Sequence, residues 1–320
     1  MATPSASSSA LPILSLFDAV AGEVPANART IPNVVSIAGV DPSGGAGVFA
    51  DLKTFSALGV YGCGVVAALT AQNTRAVTGV FLPPNDFIRL QIDTLFSDVK
   101  IAAAKIGMLG NAGVVRTVAD GLNGRQLPFL VVDPVMIAKS GDALLSDDAV
   151  RMLREALLPL ATMITPNLPE AGVLLEQSAP DSRRDMRRAA EKLREMLPHA
   201  GRRWVLLKGG HLPGGDLVDL LHDGDRMIEL ESRRLDTNNT HGTGCTYSAA
   251  IAALLPQRPD VPSAVSDAHG WLARAIAAAG QLRVASTPQG HGPVHHFHAL
   301  WPRCHGEPHT SSPPRESRLP

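Results

Sequence analysis

Short apolar runs alternate along this chain with longer stretches whose apolar positions recur at helical spacing. Asn33–Gly39 reads as a buried strand, followed by a glycine-rich loop and a helix from about Gly45 to Leu58. Tyr61–Thr70 predicts a second strand, and a helix near Asn85–Phe96 leads to the short strand Ala103–Ile106. A helix over Asn111–Leu122, a strand at Phe129–Val132 and a helix over Asp147–Leu158 come next. The apolar strands Ala161–Thr165 and Trp204–Leu207 bracket the charged amphipathic helix Arg183–Met196. Leu217–His222 and Met227–Ser232 predict a hairpin turning at Asp223-Gly224. Ala-rich helices over Cys245–Leu255 and about Ser263–Ala279 close the pattern.

Strands alternating with helices predict an α/β fold, a doubly wound and mostly parallel sheet with helices on both faces. The late hairpin supplies antiparallel edge strands. No internal repeat or interdomain linker interrupts the pattern, so one domain over 31–305 is expected. Residues 1–30 are rich in Ser, Ala and Pro and read as a disordered extension, as does the Pro- and Ser-rich tail 306–320. The stretch Leu11–Val20 lacks the preceding basic residues of a signal peptide.

Composition narrows the function. The 320 residues carry a net charge of −1 with neither sign segregated, and only 4% are aromatic, which argues against a nucleic-acid partner. No apolar run has the roughly 18 residues of a membrane span. Three widely spaced cysteines (Cys63, Cys245, Cys304) make neither a disulfide framework nor a zinc site, so a cytoplasmic location is expected.

Ligands of doubly wound sheets bind beyond the carboxyl ends of the strands. Asp133, Glu170 and Lys208 all follow predicted strands there. Each has a bland role available: a turn-capping aspartate, a glutamate favouring a helix dipole after Pro169, a surface lysine. Two acids and a lysine at three strand ends point instead to a metal–nucleotide site. The loop Gly45-Ala46-Gly47 mimics a dinucleotide fingerprint, but Thr70-Ala71-Gln72-Asn73 stands where the ribose-binding acid belongs. A Walker A loop is excluded because no lysine follows a glycine. Gln72 is a candidate for reading a heterocycle's edge, since its amide both donates and accepts.

The segment Asp236 to Cys245 is the most informative. Gly242, Thr243 and Gly244 run into an apolar helix, so several amides converge where the helix dipole is positive, a cradle for phosphate oxygens. Cys245 lies in the first turn, where a thiol's pKa is usually lowered. Three readings stand: an inert small residue, an acyl-transfer nucleophile with His241, or the base for a phosphoryl acceptor. The flanking glycines favour the third. His295, His296 and His298 lack a carboxylate or cysteine at zinc spacing and read as a structural C-terminal strand.

Taken together, Ile37–Gly47, Asp51–Phe55, Ala71–Thr74, Lys105–Met108, Asp133–Met136, Ile164–Ala171, Lys208–His211, His241–Cys245 and Gly292–His298 resemble the hydroxymethylpyrimidine/phosphomethylpyrimidine kinases of thiamine biosynthesis, in the ribokinase-like superfamily. The resemblance runs from about Val34 to Trp301. It implies ATP-dependent phosphorylation of 4-amino-5-hydroxymethyl-2-methylpyrimidine and then of its monophosphate, with Mg²⁺ and in a homodimer. It implies that Gly39, Asp51, Gln72 and Met108 bind the pyrimidine. It places Asp133, Asn167, Glu170, Lys208, Thr237, His241, Gly242 and Gly244 on the nucleotide side, with Asp133 and Glu170 holding metal. Gly242, Thr243, Gly244, Cys245 and Lys208 become the catalytic set, and Cys245 stands where relatives such as many vitamin B6 kinases carry aspartate. Pyridoxal or pyridoxine kinase activity is the alternative. Phe49 departs from the polar glutamine of many relatives.

Overall fold

A computed structural model describes residues 30–136, 145–198, 201, 203–210, 212, 216–287 and 289–301. The tail 306–320, Cys304, His211 and the N-terminal segment up to residue 29 lie outside the described residues.

Among the described residues nine strands form one sheet: β1 (Asn33–Val40), β2 (Tyr61–Gln72), β3 (Val77–Phe81), β4 (Ala103–Ile106), β5 (Phe129–Val132), β6 (Met163–Ile164), β7 (Trp204–Leu207), β8 (Asp216–His222) and β9 (Met227–Arg233). Their order across the sheet is β3-β2-β1-β4-β5-β6-β7-β8-β9. The six strands from β2 to β7 in that order pair in parallel. Their apolar runs are continuous rather than alternating because helices cover both faces. In β4 even Lys105 is fully buried.

The helices are α1 (Gly47–Ala57), α2 (Asn85–Asp98), α3 (Ala112–Leu122), α4 (Asp147–Met152), α5 (Leu168–Leu175), α6 (Arg183–Glu195), α7 (Thr243–Leu254) and α8 (Val261–Ala277). One core joins Ile37, Ile106, Val132 and Val205 to apolar residues of α2, α3, α5 and α6. On the other face, Val34, Val131 and Leu206 pack with Phe55 of α1 and with α7 and α8. α7 is buried along Thr246–Leu254, so its first turn is held rigidly against the sheet.

Several expectations are corrected. Both edges are antiparallel, because β3 pairs with β2 as β8 does with β7. The helix expected over Asp147–Leu158 is α-helical only to Met152; a wider π turn spans Leu153–Leu157 and a 3-10 turn Leu158–Leu160. Pro159 supplies the reason: without an N–H, and with a ring that crowds the preceding turn, it cannot continue an α-helix. Among the described residues no strand forms after Pro293. That residue makes a single bridge with His241, and the chain then coils, with His298 N–H donating to His295 O.

Candidate active site

The carboxyl ends of β1, β4, β5, β6 and β7 open into a cavity of about 1020 Å³. Its wall includes Gly39, Gln72 and Met108, then Asp133, Asn167, Glu170 and Lys208, and also Thr237, His241, Gly242, Thr243, Gly244 and Cys245. The expected substrate and nucleotide residues thus share one cavity, with one exception. Asp51 does not line it; that carboxylate is fully buried beneath, accepting from Ser36 Oγ at 2.5 Å and from Lys105 Nζ at 2.9 and 3.1 Å. In this structure Asp51 sits behind the wall, bonded to the equally buried Lys105 of β4.

The start of α7 depends on one glycine. Gly242 has φ +72°, and a Cβ there would come within 1.7 Å of Gly45 O. The loop after β1 and the loop before α7 therefore press backbone against backbone. His241 clamps the same junction, its Nε2 lying 2.7 Å from Asp41 Oδ2. Asp41 also accepts from Ser43 N, Ser43 Oγ and Ala46 N. Burial pushes Asp41 up, but the hydrogen bonds from His241 and Ser43 outweigh it and hold the carboxyl below its usual value. The first-turn amides of Gly244 and Cys245 have no acceptor within their own helix, and both residues border the cavity.

Gly47 opens α1 at φ +61°, and its backbone amide favours the Cys245 thiolate. Two helix starts thus converge on one thiol. The expectation of a lowered pKa is nevertheless corrected: burial pushes the Cys245 thiol up, and the Lys105 cation and the Gly47 amide only partly oppose this. A helix terminus favours a thiolate, but here desolvation is the larger effect. His241, committed through Nε2 to Asp41, is not oriented as a general base for Cys245, which disfavours the acyl-transfer reading.

Asp133 is buried after β5, with Lys208 Nζ at 2.8 Å and Thr165 Oγ1 at 2.9 Å from Oδ1, and Ser248 Oγ at 3.2 Å from Oδ2. Burial would raise its pKa; Lys208 and Lys105 reverse that and keep it ionised. Glu170 and Asn167 cap α5 reciprocally: Asn167 N–H donates to Glu170 Oε2 at 2.8 Å, and Glu170 N–H donates to Asn167 Oδ1 at 2.9 Å. The bland helix-start role of Glu170 is real, yet the residue also lines the cavity. Burial pushes its carboxyl up to about 7 against the pull of Lys208.

Lys105 is the functional candidate that motif reading passed over. The signal was a lysine inside the apolar run Ala103–Ile106, a place where a cation requires a buried partner. Among the described residues no three His, Cys, Asp or Glu side chains gather as a metal site. His296 Nε2 lies 3.1 Å from Thr246 Oγ1, and burial pushes its pKa down to about 3. Phe49 is exposed and lies outside the cavity wall. Among the described residues no helix is long and apolar enough to cross a membrane.

Known proteins share this chain's sequence and architecture. Residues 41–295 match the phosphomethylpyrimidine kinase family. The chain is 50% identical over 267 residues to the hydroxymethylpyrimidine/phosphomethylpyrimidine kinase of Rhizobium meliloti, covering 83% of this chain and 97% of that protein. Among solved structures, the phosphomethylpyrimidine kinase of Clostridium difficile superposes with a TM-score of 0.67 at 38% identity, over 77% of this chain and 99% of that one. The pyridoxal kinase of Bacillus subtilis, in an ADP complex, gives 0.74 at 34% identity over 84% and 99%. The chain belongs to the phosphomethylpyrimidine kinase family, with its ribokinase-like α/β fold.

Proposed function

We infer that the chain transfers the γ-phosphoryl group of ATP to the hydroxymethyl oxygen of 4-amino-5-hydroxymethyl-2-methylpyrimidine, and in a second turnover to the resulting monophosphate, in thiamine biosynthesis. The observation that carries this reading is Cys245 at the start of α7, in one cavity with Gln72 and Met108, within a chain so similar to known pyrimidine kinases.

Phosphoryl transfer asks a protein mainly for positioning and charge stabilisation. The amides of Gly244 and Cys245 hold oxygens of the migrating group, and Lys208 balances their charge. Thr237, His241, Asn167 and Gly242 border the nucleotide. Gln72, Met108 and Gly39 border the pyrimidine. Cys245 takes the hydroxyl proton. A thiol with a raised pKa is a strong base once ionised but is seldom ionised at rest. It therefore fits a late transfer, when the alcohol oxygen has begun to bond phosphorus and has become acidic.

The donor set fits Mg²⁺, which characteristically uses one or two carboxylates beside substrate phosphates. Asp133 and Glu170 are that pair, and a carboxyl held near 7 by burial gains from a cation beside it. Bound there, Mg²⁺ would neutralise phosphate charge.

Coupled ADP-release assays with the pyrimidine alcohol and with its monophosphate test the reading, and silence with both rejects it. Cys245→Ala should lower kcat by roughly 10²–10⁴-fold, as for a positioned proton-transfer group. Pyridoxine kinase activity is the second reading, favoured by the likeness to a pyridoxal kinase; comparing kcat/KM for the two alcohols decides it. The enzyme acts as a cytoplasmic homodimer. The apolar, exposed Leu69 and Phe81, paired in register on β2 and β3, give a second copy a surface to cover. Sedimentation of Phe81→Asp should then show monomers where the parent shows dimers.

A further inference from the structure

Thr70 and Gln72 stand two residues apart on β2, so their side chains leave the same face, and both line the cavity. Thr70 Oγ1 lies 2.9 Å from Val40 O and 3.2 Å from Gln72 Oε1. A hydroxyl has a single proton, so it cannot donate to both oxygens. With Oε1 facing Thr70, one of those two oxygen–oxygen contacts has no hydrogen in it. The Val40 carbonyl can only accept. A carboxamide, by contrast, can turn end for end and present NH₂ in place of oxygen. One arrangement satisfies every atom: Thr70 donates to Val40 O and accepts from Gln72 Nε2. The outer edge of the amide, Oε1 and the second Nε2–H, is then left for a ligand.

We propose that Thr70 is a specificity-determining positioning residue, fixing which end of the Gln72 amide accepts and which donates, and so which way round the pyrimidine ring sits. This rests on the functional reading above. The substrate's amidine edge offers the 4-amino group as donor beside ring N3 as acceptor. Against an amide of fixed polarity, the amino group meets Oε1 and N3 meets Nε2–H. If the amide turned over, the ring would have to turn over with it, and the hydroxymethyl arm would leave from the opposite side, away from its proper approach to the phosphoryl group. Thr70 touches no reacting atom in this account; it acts through Gln72.

The 4-oxo analogue, 5-hydroxymethyl-2-methylpyrimidin-4(3H)-one, reverses the pattern, since its N3–H donates and its 4-oxygen accepts. It pairs with the fixed amide only when turned over, which misplaces the arm. The parent enzyme should therefore favour the amino alcohol over the oxo alcohol in kcat/KM by about a hundredfold, the scale of one bidentate discrimination. In Thr70→Val, which matches threonine in shape but frees the amide, that ratio should fall about tenfold, the upper end of one ordinary hydrogen bond. Thr70→Ser keeps the hydroxyl and should keep the parent ratio. Thr70→Ala is read as Thr70→Val if the valine variant does not fold. An unchanged ratio in the variants lacking the hydroxyl, or a fallen one in Thr70→Ser, overturns the proposal. A parent enzyme silent towards the amino alcohol rejects the functional reading itself, a result distinct from any movement of the ratio.

Discussion

Two buried lysine–aspartate pairs sit at the same end of the sheet, and they differ in access. Lys105 with Asp51 is sealed, both side chains showing 0% exposure. Lys208 with Asp133 borders the cavity, the lysine 14% exposed and the aspartate 2%. The sealed pair is closed by a third group, Ser36 Oγ, on the carboxylate. The open pair has Glu170 as a second acid beside it, protonated until about pH 7. A sealed pair has no alternative partner, so its value is to hold a cation fixed below Cys245. An open pair can exchange: on the proposed function, phosphate oxygens would take Lys208, and Asp133 would be one of the residues to hold Mg²⁺. Residues identical in type thus become a fixed support in one place and a working site in the other.

The largest test of that contrast is on stability. Lys105→Met strands the Asp51 charge in the interior, which should cost roughly 3–5 kcal/mol. Thermal unfolding should then begin about 10 °C lower, given about 2–4 °C per kcal/mol for domains of this order of size. Adding Asp51→Leu should recover much of the loss, because removing both charges removes the stranded one. If Lys105→Met melts like the parent, the pair is not sealed. Lys208→Met should do less: Thr165 still donates to Asp133 and the Lys105 cation still acts on it, so the melting temperature moves less than in Lys105→Met. Its kcat/KM with ATP and the pyrimidine alcohol should drop roughly 10²–10³-fold, the scale of losing one charge-stabilising group. A parent-like rate would remove Lys208 from the catalytic set.

The smallest effect is on pH. Glu170 ionises near 7 in the fold, against an ordinary glutamate value of 4.5. Between those values the folded chain holds a proton that the unfolded chain has released, so stability falls as pH rises through that window. Without metal, the parent's melting temperature should therefore decline between about pH 5 and 7 by a few degrees more than that of Glu170→Gln. Parallel curves would mean that Glu170 titrates normally.

Much of the frame was legible. Ala103–Ile106, Phe129–Val132 and Trp204–Leu207 are strands over the residues predicted, because strands covered on both faces must be continuously apolar and these runs are short and sharply bounded. β3 was not legible: its residues after Val77 are exposed, so no burial pattern marked it. At the site, the glycines before Cys245 announced the start of a helix at the cavity, since a helix start is local. The acidity of Cys245 was not local. It depends on how deeply α7 is packed, which distant residues decide. Asp51 and Lys105 failed for the same reason: 54 positions apart in sequence, they neutralise one another only once β4 lies beneath α1. Motif spacing identifies which residues gather at a strand end, while the depth of each one is a property of the assembled layers.

The contact between Gly45 O and the α-carbon of Gly242 has a mechanical consequence. On the proposed function, the ledge under the acceptor alcohol and the ledge under the migrating phosphoryl group would be two faces of one anvil. Neither could tilt without dragging the other, so the line along which the reactants meet would already be drawn when the first of them arrives. Alignment of this kind is entropy spent during folding instead of at each turnover. A side chain wedged into that seam should therefore blunt turnover with either partner at saturation, even where each still docks.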